Sequence, residues 1–404
     1  MRRAPPLYAA GGAALALLPV AMVLANRSSP ILVAVAALAF LGGRWREEPR
    51  ALPGLLVAPL RTPLGLACLA FLGWSVLSIA WSPFPALSLR VLGEFLPTLI
   101  SAYFLVILAP GRIPAFAAPM AALAVVVAGV IIAIDLALDL PLERLLGHRV
   151  AAFVFNRPAL TLDLIAGPLA LLLWRSNRKL AAGATLAFAG LGVLRSISGA
   201  AAMGLMAGLA MAAAVWVLPR RMGIALAGLG LGLAVALAPI EGDLLARVMP
   251  EAAHQQLTQS SSRARVAIAR SFGTAVAASP WRGAGYGTSA RFAETPVAAQ
   301  VPEGMRVLLG VGHPHNSFLQ VWAELGLPGA FLAALALMLM LARLSVLPRA
   351  DLTVALGLVA CAGAIAFVEH NGWAGWWTAG LGAAITWARA ARARLRPPGT
   401  ELQP

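Results

Sequence analysis

The chain has 404 residues, of which 60% are apolar and only 12% charged, with a net charge of +15. Soluble domains of this size carry about a quarter charged residues, so the composition excludes a soluble globular enzyme, a disordered chain and a disulfide scaffold. Apolar runs of about 20 residues recur along the whole length, which is the pattern of an all-α, polytopic integral membrane protein. Cys68 and Cys361 both lie inside apolar runs and suggest neither a disulfide framework nor a cysteine-based metal site.

All but one of the 31 basic residues are arginine, the exception being Lys179. They are dispersed between apolar runs, which argues against a nucleic-acid partner. Base composition of a GC-rich genome accounts for the total but not for where the arginines sit. The first apolar run follows Met1, Arg2 and Arg3, lacks a small-residue cleavage site and is followed at once by another. It therefore reads as a retained helix rather than a signal peptide.

In chain order, the hydropathy pattern predicts twelve spans at roughly 8–25, 30–43, 64–81, 89–109, 114–134, 158–174, 180–197, 199–218, 223–240, 315–342, 351–370 and 373–390. Each is expected to be helical, because backbone polar groups in lipid must be satisfied within the segment. With both termini in the cytoplasm, 18 of the 31 basic residues fall on the cytoplasmic side, as the positive-inside bias requires. Residues 1–240 then form a bundle of nine helices. Residues 241–314 form one large periplasmic loop region with short amphipathic helices, and residues 315–404 supply helices ten to twelve and a cytoplasmic tail. The large region carries seven arginines, and loops of more than about 60 residues escape the charge bias. All five histidines (His148, His254, His313, His315, His370) fall on the periplasmic side.

Within 258–330, Ser260-Ser261-Ser262 reads as a helix cap before a stretch bearing Arg263, Arg265 and Arg270. This is the pattern of a short amphipathic helix at the membrane surface. Ser279–Gly287 then forms a Gly-rich turn, and Gly312-His313-Pro314-His315-Asn316 leads into the tenth span, with His315 and Asn316 at its mouth. Each feature also has a plain reading: a turn, an anchor to anionic headgroups, a helix cap. Glu94, Asp135, Asp163, Glu324 and Glu369 lie in or at the ends of apolar runs. Glu324 would sit about 13 Å deeper than His315 along the helix, which suggests a structural pair with an arginine.

Four motifs carry a resemblance. His315-Asn316, nine residues, then Gly326-x-x-Gly329 follows an H-N-x9-G-x-x-G pattern without a gap. Arg265 with Ser279-Pro280-x-x-Gly283-x-Gly285 follows R-x-x-x-W … P-x-x-G-x-G, with Ala269 where the pattern has Trp. Arg149 with Phe155-Asn156-Arg157-Pro158 follows Arg … F-x-N-P with Arg157 inserted, and Arg195 lies beside a Ser-Gly turn in place of S-R-G. On these motifs the chain resembles the O-antigen ligase family, within the O-antigen ligase/polymerase group of membrane glycosyltransferases.

The resemblance implies transfer of a glycan from an undecaprenyl-pyrophosphate donor to a sugar hydroxyl of a lipid A–core acceptor, on the periplasmic face of the bacterial inner membrane. A departing pyrophosphate needs cations that persist at neutral pH, and guanidiniums match its oxygens in pairs. No D-x-D motif or carboxylate ligand set is evident in the outer loops; Glu241 and Asp243 come nearest. A metal-independent reaction with no cofactor and no nucleotide is therefore expected. His315 is the expected general base, giving inversion by direct displacement, and Arg265 is expected to stabilise the pyrophosphate. Arg149, Arg195 and Arg282 are further phosphate donors, and Asn316 orients His315 or the acceptor. His313 reads as a loop residue. Three other readings compete: an O-antigen polymerase, a protein O-oligosaccharyltransferase, and a lipid-linked glycan flippase. Against the polymerase, Arg265, Arg270 and Arg282 lack a Gly eleven residues on.

Overall fold

A computed structural model describes residues 6–147, 150–250, 255, 262–369 and 371–395. Among them every regular element is a helix. The long ones are α1 (Pro6–Leu24), α2 (Ser29–Glu47), α3 (Pro63–Leu77), α4 (Pro85–Leu108), α5 (Ala117–Ala137), α6 (Asn156–Arg175) and α7 (Lys179–Arg195). They continue with α8 (Gly199–Val217), α9 (Arg220–Ala236), α10 (Glu241–Val248), α11 (Ser262–Ala278), α12 (Ser317–Leu344), α13 (Arg349–Val368) and α14 (Gly375–Ala393).

Every span expected from hydropathy coincides with one of these helices. Among the described residues, eight segments are long and apolar enough to cross a membrane, or nine if the pair bent by 56° between Ala236 and Ala238 counts as one. The bend falls just before Pro239, the second residue of a 3-10 turn at Ala238–Ile240, as expected where a proline cannot continue the ladder. The count is below twelve for local reasons. α2 ends in Arg44, Arg46 and Glu47, α7 has only 17 residues, and α14 carries Arg389 and Arg392.

α6 is the most enclosed of the apolar segments, with 72% of its most hydropathic window buried. It packs against α7, α13, α14 and α5, and its Leu160, Leu164, Ile165, Leu169 and Leu173 lie in the main core. Cross-links between helix ends show that successive helices run in opposite directions. At one end Tyr8 donates to Glu47 (2.7 Å), Arg112 pairs with Glu47 (3.3 Å), and Arg220 donates to the Leu347 carbonyl (2.8 Å). Arg175 grips Asp351 there with two bonds of 2.7 and 2.8 Å. At the other end Trp322 donates to the Val235 carbonyl (2.8 Å), Ser29 to that of Trp376 (3.2 Å) and Arg265 to that of Val368 (2.8 Å).

The described residues of 238–250 and 262–325 pack on that second end. The apolar face of α11 is covered by protein: Ile268, Ala269, Phe272, Ala275 and Val276 join Phe292, Leu309, Leu319 and Ala323 in a separate core. The helix expected to lie on the membrane surface is thus an internal strut. Its start is Ser262, with Ser260 and Ser261 outside the described residues. Ala269, standing where the motif has Trp, is buried in that core.

α12 is broken at Gly326 (φ 65°, ψ −164°). A broken helix in an apolar span needs its freed backbone groups satisfied by protein, and the Gly-rich turn does this. Ala284 N–H bonds the Ala323 carbonyl (2.9 Å), Gly285 N–H that of Glu324 (2.8 Å), and the Trp74 indole that of Leu325 (2.9 Å). In return Leu327 N–H bonds the Pro280 carbonyl (2.8 Å). The two glycine motifs are therefore two halves of one joint. A Cβ on Gly326 would lie 2.4 Å from the Trp281 carbonyl oxygen, and one on Gly283 would lie 2.5 Å from the Glu324 carbonyl carbon. Gly326→Ala is expected to lower thermal stability, the left-handed backbone alone costing about 1–3 kcal/mol. An unchanged melting temperature in detergent would contradict the joint.

Glu324 closes the same joint. It is fully buried and accepts hydrogen bonds from Gly287 N–H (2.6 Å), Ser289 N–H (3.1 Å), Ser289 Oγ (2.5 Å), Gln320 Nε2 (3.1 Å) and Trp373 Nε1 (2.7 Å). The pairing with an arginine expected from sequence is thus replaced, among the described residues, by neutral donors. They satisfy the carboxylate without a second buried charge. Glu324→Gln turns an amide N–H₂ toward N–H donors and should destabilise by about 1–3 kcal/mol per orphaned group. Thermal unfolding of the variant measures this.

Candidate functional site

The site assembles where three helix ends meet. α11 brings Arg265, α13 ends at Val368 and hands on to Glu369, and α6 begins at Asn156 after the 3-10 turn Ala152–Phe155. Arg265 donates through Nη1 to the Val368 carbonyl (2.8 Å), and its Nη2 lies 3.7 Å from Glu369 Oε2. Glu369 also accepts a hydrogen bond from Asn156. Glu369 therefore holds the arginine and the start of α6 together.

The histidines approach from the segment before α12. Because that helix starts at Ser317, His313 and His315 lie outside it. Gly312 (φ 95°) and His315 (φ 55°) take left-handed backbone conformations that fold the segment back on itself. The two imidazole centroids lie 4.3 Å apart with their planes tilted by 48°, and His313 Nδ1 accepts the His315 backbone N–H (3.1 Å). That bond puts any ring proton of neutral His313 on Nε2. Burial, then the neighbouring His315 and Arg265, push His313 down to about 4. Burial, then the Arg265 charge, also lower His315 from its ordinary value. Both rings are thus held neutral, and His315 Nδ1 is buried without a hydrogen-bond partner. A neutral imidazole with an unoccupied ring nitrogen beside a guanidinium can take a proton while the guanidinium receives an anion.

Asn316 is 1% exposed. Its Oδ1 caps α12 by accepting from Phe318 N–H (2.8 Å) and Leu319 N–H (3.1 Å), and its Nδ2 donates to Glu241. Both ends of the side chain are committed, so its contact with His315 is through the backbone. Arg282 is exposed beside Gly326, eleven residues along α12 from His315, and its carbonyl accepts from the Trp81 indole (3.3 Å). Arg195 closes α7 with its side chain exposed. No described hydrogen bond or ion pair joins either side chain to the cluster. Arg149 lies outside the described residues, as do His148, His254 and His370.

Residues 182–334 match the O-antigen ligase family model. The matched segment holds Arg195, Arg265, Arg282, His313, His315, Asn316 and both halves of the Gly283–Gly326 joint. Asn156 and Glu369, which complete the Arg265 cluster, lie outside it. No curated protein matches the chain. The match implies a membrane enzyme of the glycosyltransferase type over that segment, which suits the apolar helices. Sequence reasoning passed over three residues of this cluster. Asn156 stood in the F-x-N-P-like motif, Glu369 was a charge at the end of an apolar run, and His313 read as loop. Among the described residues there is no group of three or more His, Cys, Asp or Glu side chains suited to a metal ion.

Proposed function

We propose that the protein is an O-antigen ligase, working metal-independently on the periplasmic face of the inner membrane with both termini in the cytoplasm. It transfers a glycan from undecaprenyl pyrophosphate to a sugar hydroxyl of lipid A–core oligosaccharide. The observation that carries this reading is that Arg265 lies within electrostatic reach of His315 at one end of the bundle, within the segment matching the O-antigen ligase family.

His315 Nδ1 accepts the proton of the acceptor hydroxyl as its oxygen attacks the anomeric carbon. The bond from that carbon to the pyrophosphate oxygen breaks as the new one forms, so the centre inverts. Arg265 receives the charge on the departing lipid pyrophosphate through the N–H groups not used by Val368 and Glu369. Asn316 and His313 hold the His315 backbone in place, and Arg149, Arg195 and Arg282 supply further cations toward the lipid pyrophosphate. The acceptor proton ends on His315 and is released to water.

The test is incubation of the purified protein with undecaprenyl-pyrophosphate glycan and either lipid A–core or a second donor molecule. Mass gain on lipid A–core is expected, and should survive EDTA. Mass gain on the second donor instead would make the protein a polymerase. Movement of donor across the bilayer without any transfer would make it a flippase.

A further inference from the structure

The bend after α9 carries an exposed apolar edge from one helix to the next. α9 has 17 residues, and about 17 is the fewest that cross a hydrocarbon core. The helix axis then turns by 56° toward α10. α10 places Glu241, Asp243 and Arg247 among its eight residues, a charge density that the interior of a bilayer disfavours. The bend therefore falls where α9 has just become long enough to reach the far side of the hydrocarbon.

α10 has three distinct sides. Glu241 and Gly242 are buried, and a Cβ on Gly242 would lie 2.3 Å from the Arg270 backbone nitrogen, so that side rests flush on α11. A second side is charged. Asp243 pairs there with Arg270 at 2.8 Å, and Arg247 is exposed with no acidic partner among the described residues. The third side is apolar: Ile240, just before α10, Leu244 and Val248 are 49%, 38% and 71% exposed. Traced back through the bend, the same edge continues as Leu237, Leu233 and Leu229 of the α9 segment, all exposed. Every step along it is three or four residues, the spacing of one stripe on a helical surface. On α9 that stripe faces lipid, and its continuation makes lipid the cover of α10 as well.

We propose that α10 is an interfacial helix that docks on the bilayer surface, with Leu244 and Val248 among the acyl chains and Arg247 at the headgroup phosphates. A helix with an apolar edge, a charged edge and an unmatched arginine is built for that boundary, and a guanidinium pairs with phosphate oxygens. The surface role expected from sequence for α11 thus falls to α10, while α11 supplies the support beneath it. The protein side of α10 reaches the candidate site, because Glu241 accepts from the Asn316 amide next to His315. The depth at which α10 rests in the interface therefore sets how far His315 stands from the lipid. The placement of α10 stands whether or not the glycan-transfer reading holds.

Spin labelling of the full-length protein tests it, in nanodiscs of phosphatidylcholine and phosphatidylglycerol and with Cys68→Ala and Cys361→Ala removing the native thiols. Nitroxides are attached in turn at Leu244→Cys, Val248→Cys and Ala246→Cys, the last an exposed position on the opposite flank of α10. Power-saturation measurements should show the labels at 244 and 248 several-fold more accessible to oxygen than to a water-soluble nickel chelate, at a depth of about 5–10 Å. The label at 246 should show the reverse. Equal exposure of all three to the chelate would overturn the proposal, as the mark of a helix in water. Labels at 244 and 248 as deep as one at Leu229→Cys, in the middle of α9, would overturn it as well, since α10 would then continue the span. The unsubstituted protein supplies a second measurement that needs no variant to fold. Photolysis with a phospholipid bearing a diazirine on its acyl chain should label Leu244 and Val248, read by peptide mass spectrometry. Label on α9 with none on 240–248 would overturn the proposal.

Discussion

Replacement of His315 by asparagine is expected to lower kcat for glycan transfer by about two to four orders of magnitude, the usual worth of a positioned base. Donor affinity should stay near that of the wild-type protein. Asparagine is the informative substitution because His315 sits at φ 55°, a region that asparagine tolerates and β-branched or bulky residues do not. The backbone bond to His313 and the Asn316 cap should therefore persist, and only the ring nitrogen is lost. The pH dependence follows from the neighbours. The base works in its neutral form, so activity falls as pH drops through the His315 pKa. Burial and Arg265 lower that pKa, so the acid limb of kcat/KM, which reports the free enzyme, should lie below the ordinary imidazole value of about 6.5. A limb at or above that value, or transfer by His315→Asn at the wild-type rate, would exclude His315 as the base.

The helical character of the apolar runs is legible in hydropathy because lipid leaves a span no alternative to helix. Breaks within the helices are less legible. Pro239 announces one, whereas Gly326 lies in a run of apolar residues, and only its spacing from His315 marks it. What makes Gly326 a joint is a turn 40 residues earlier, and no local signal in α12 reports that partner. The same holds for Glu324. An intramembrane carboxylate suggests a cation from sequence, but five donors drawn from Gly287, Ser289, Gln320 and Trp373 meet it instead. Residue type and the motif resemblance single out His315 and Arg265 as candidates, since few side chains can serve as base or diphosphate ligand. The supporting contacts of Asn156 and Glu369 come from segments more than 100 residues to either side of Arg265 and needed the fold.

Arg265→Lys is expected to lower kcat by about two to three orders of magnitude, as loss of a preorganised donor at a developing anion does, even though the charge is kept. The guanidinium has five N–H donors in a fixed plane. One is spent on the Val368 carbonyl at 2.8 Å and one side faces Glu369 at 3.7 Å, which orients the plane before substrate arrives. The remaining donors can then meet a departing pyrophosphate without rearranging. An ammonium drawn to Val368 and Glu369 satisfies both from a single nitrogen and retains no fork for phosphate. Binding of the donor draws on charge and should weaken only modestly, so the loss should appear in kcat more than in KM. Single-turnover rates with saturating donor separate the two. A lysine variant with full kcat and raised KM would reduce Arg265 to a point charge that recruits donor. A variant normal in both would remove it from the site.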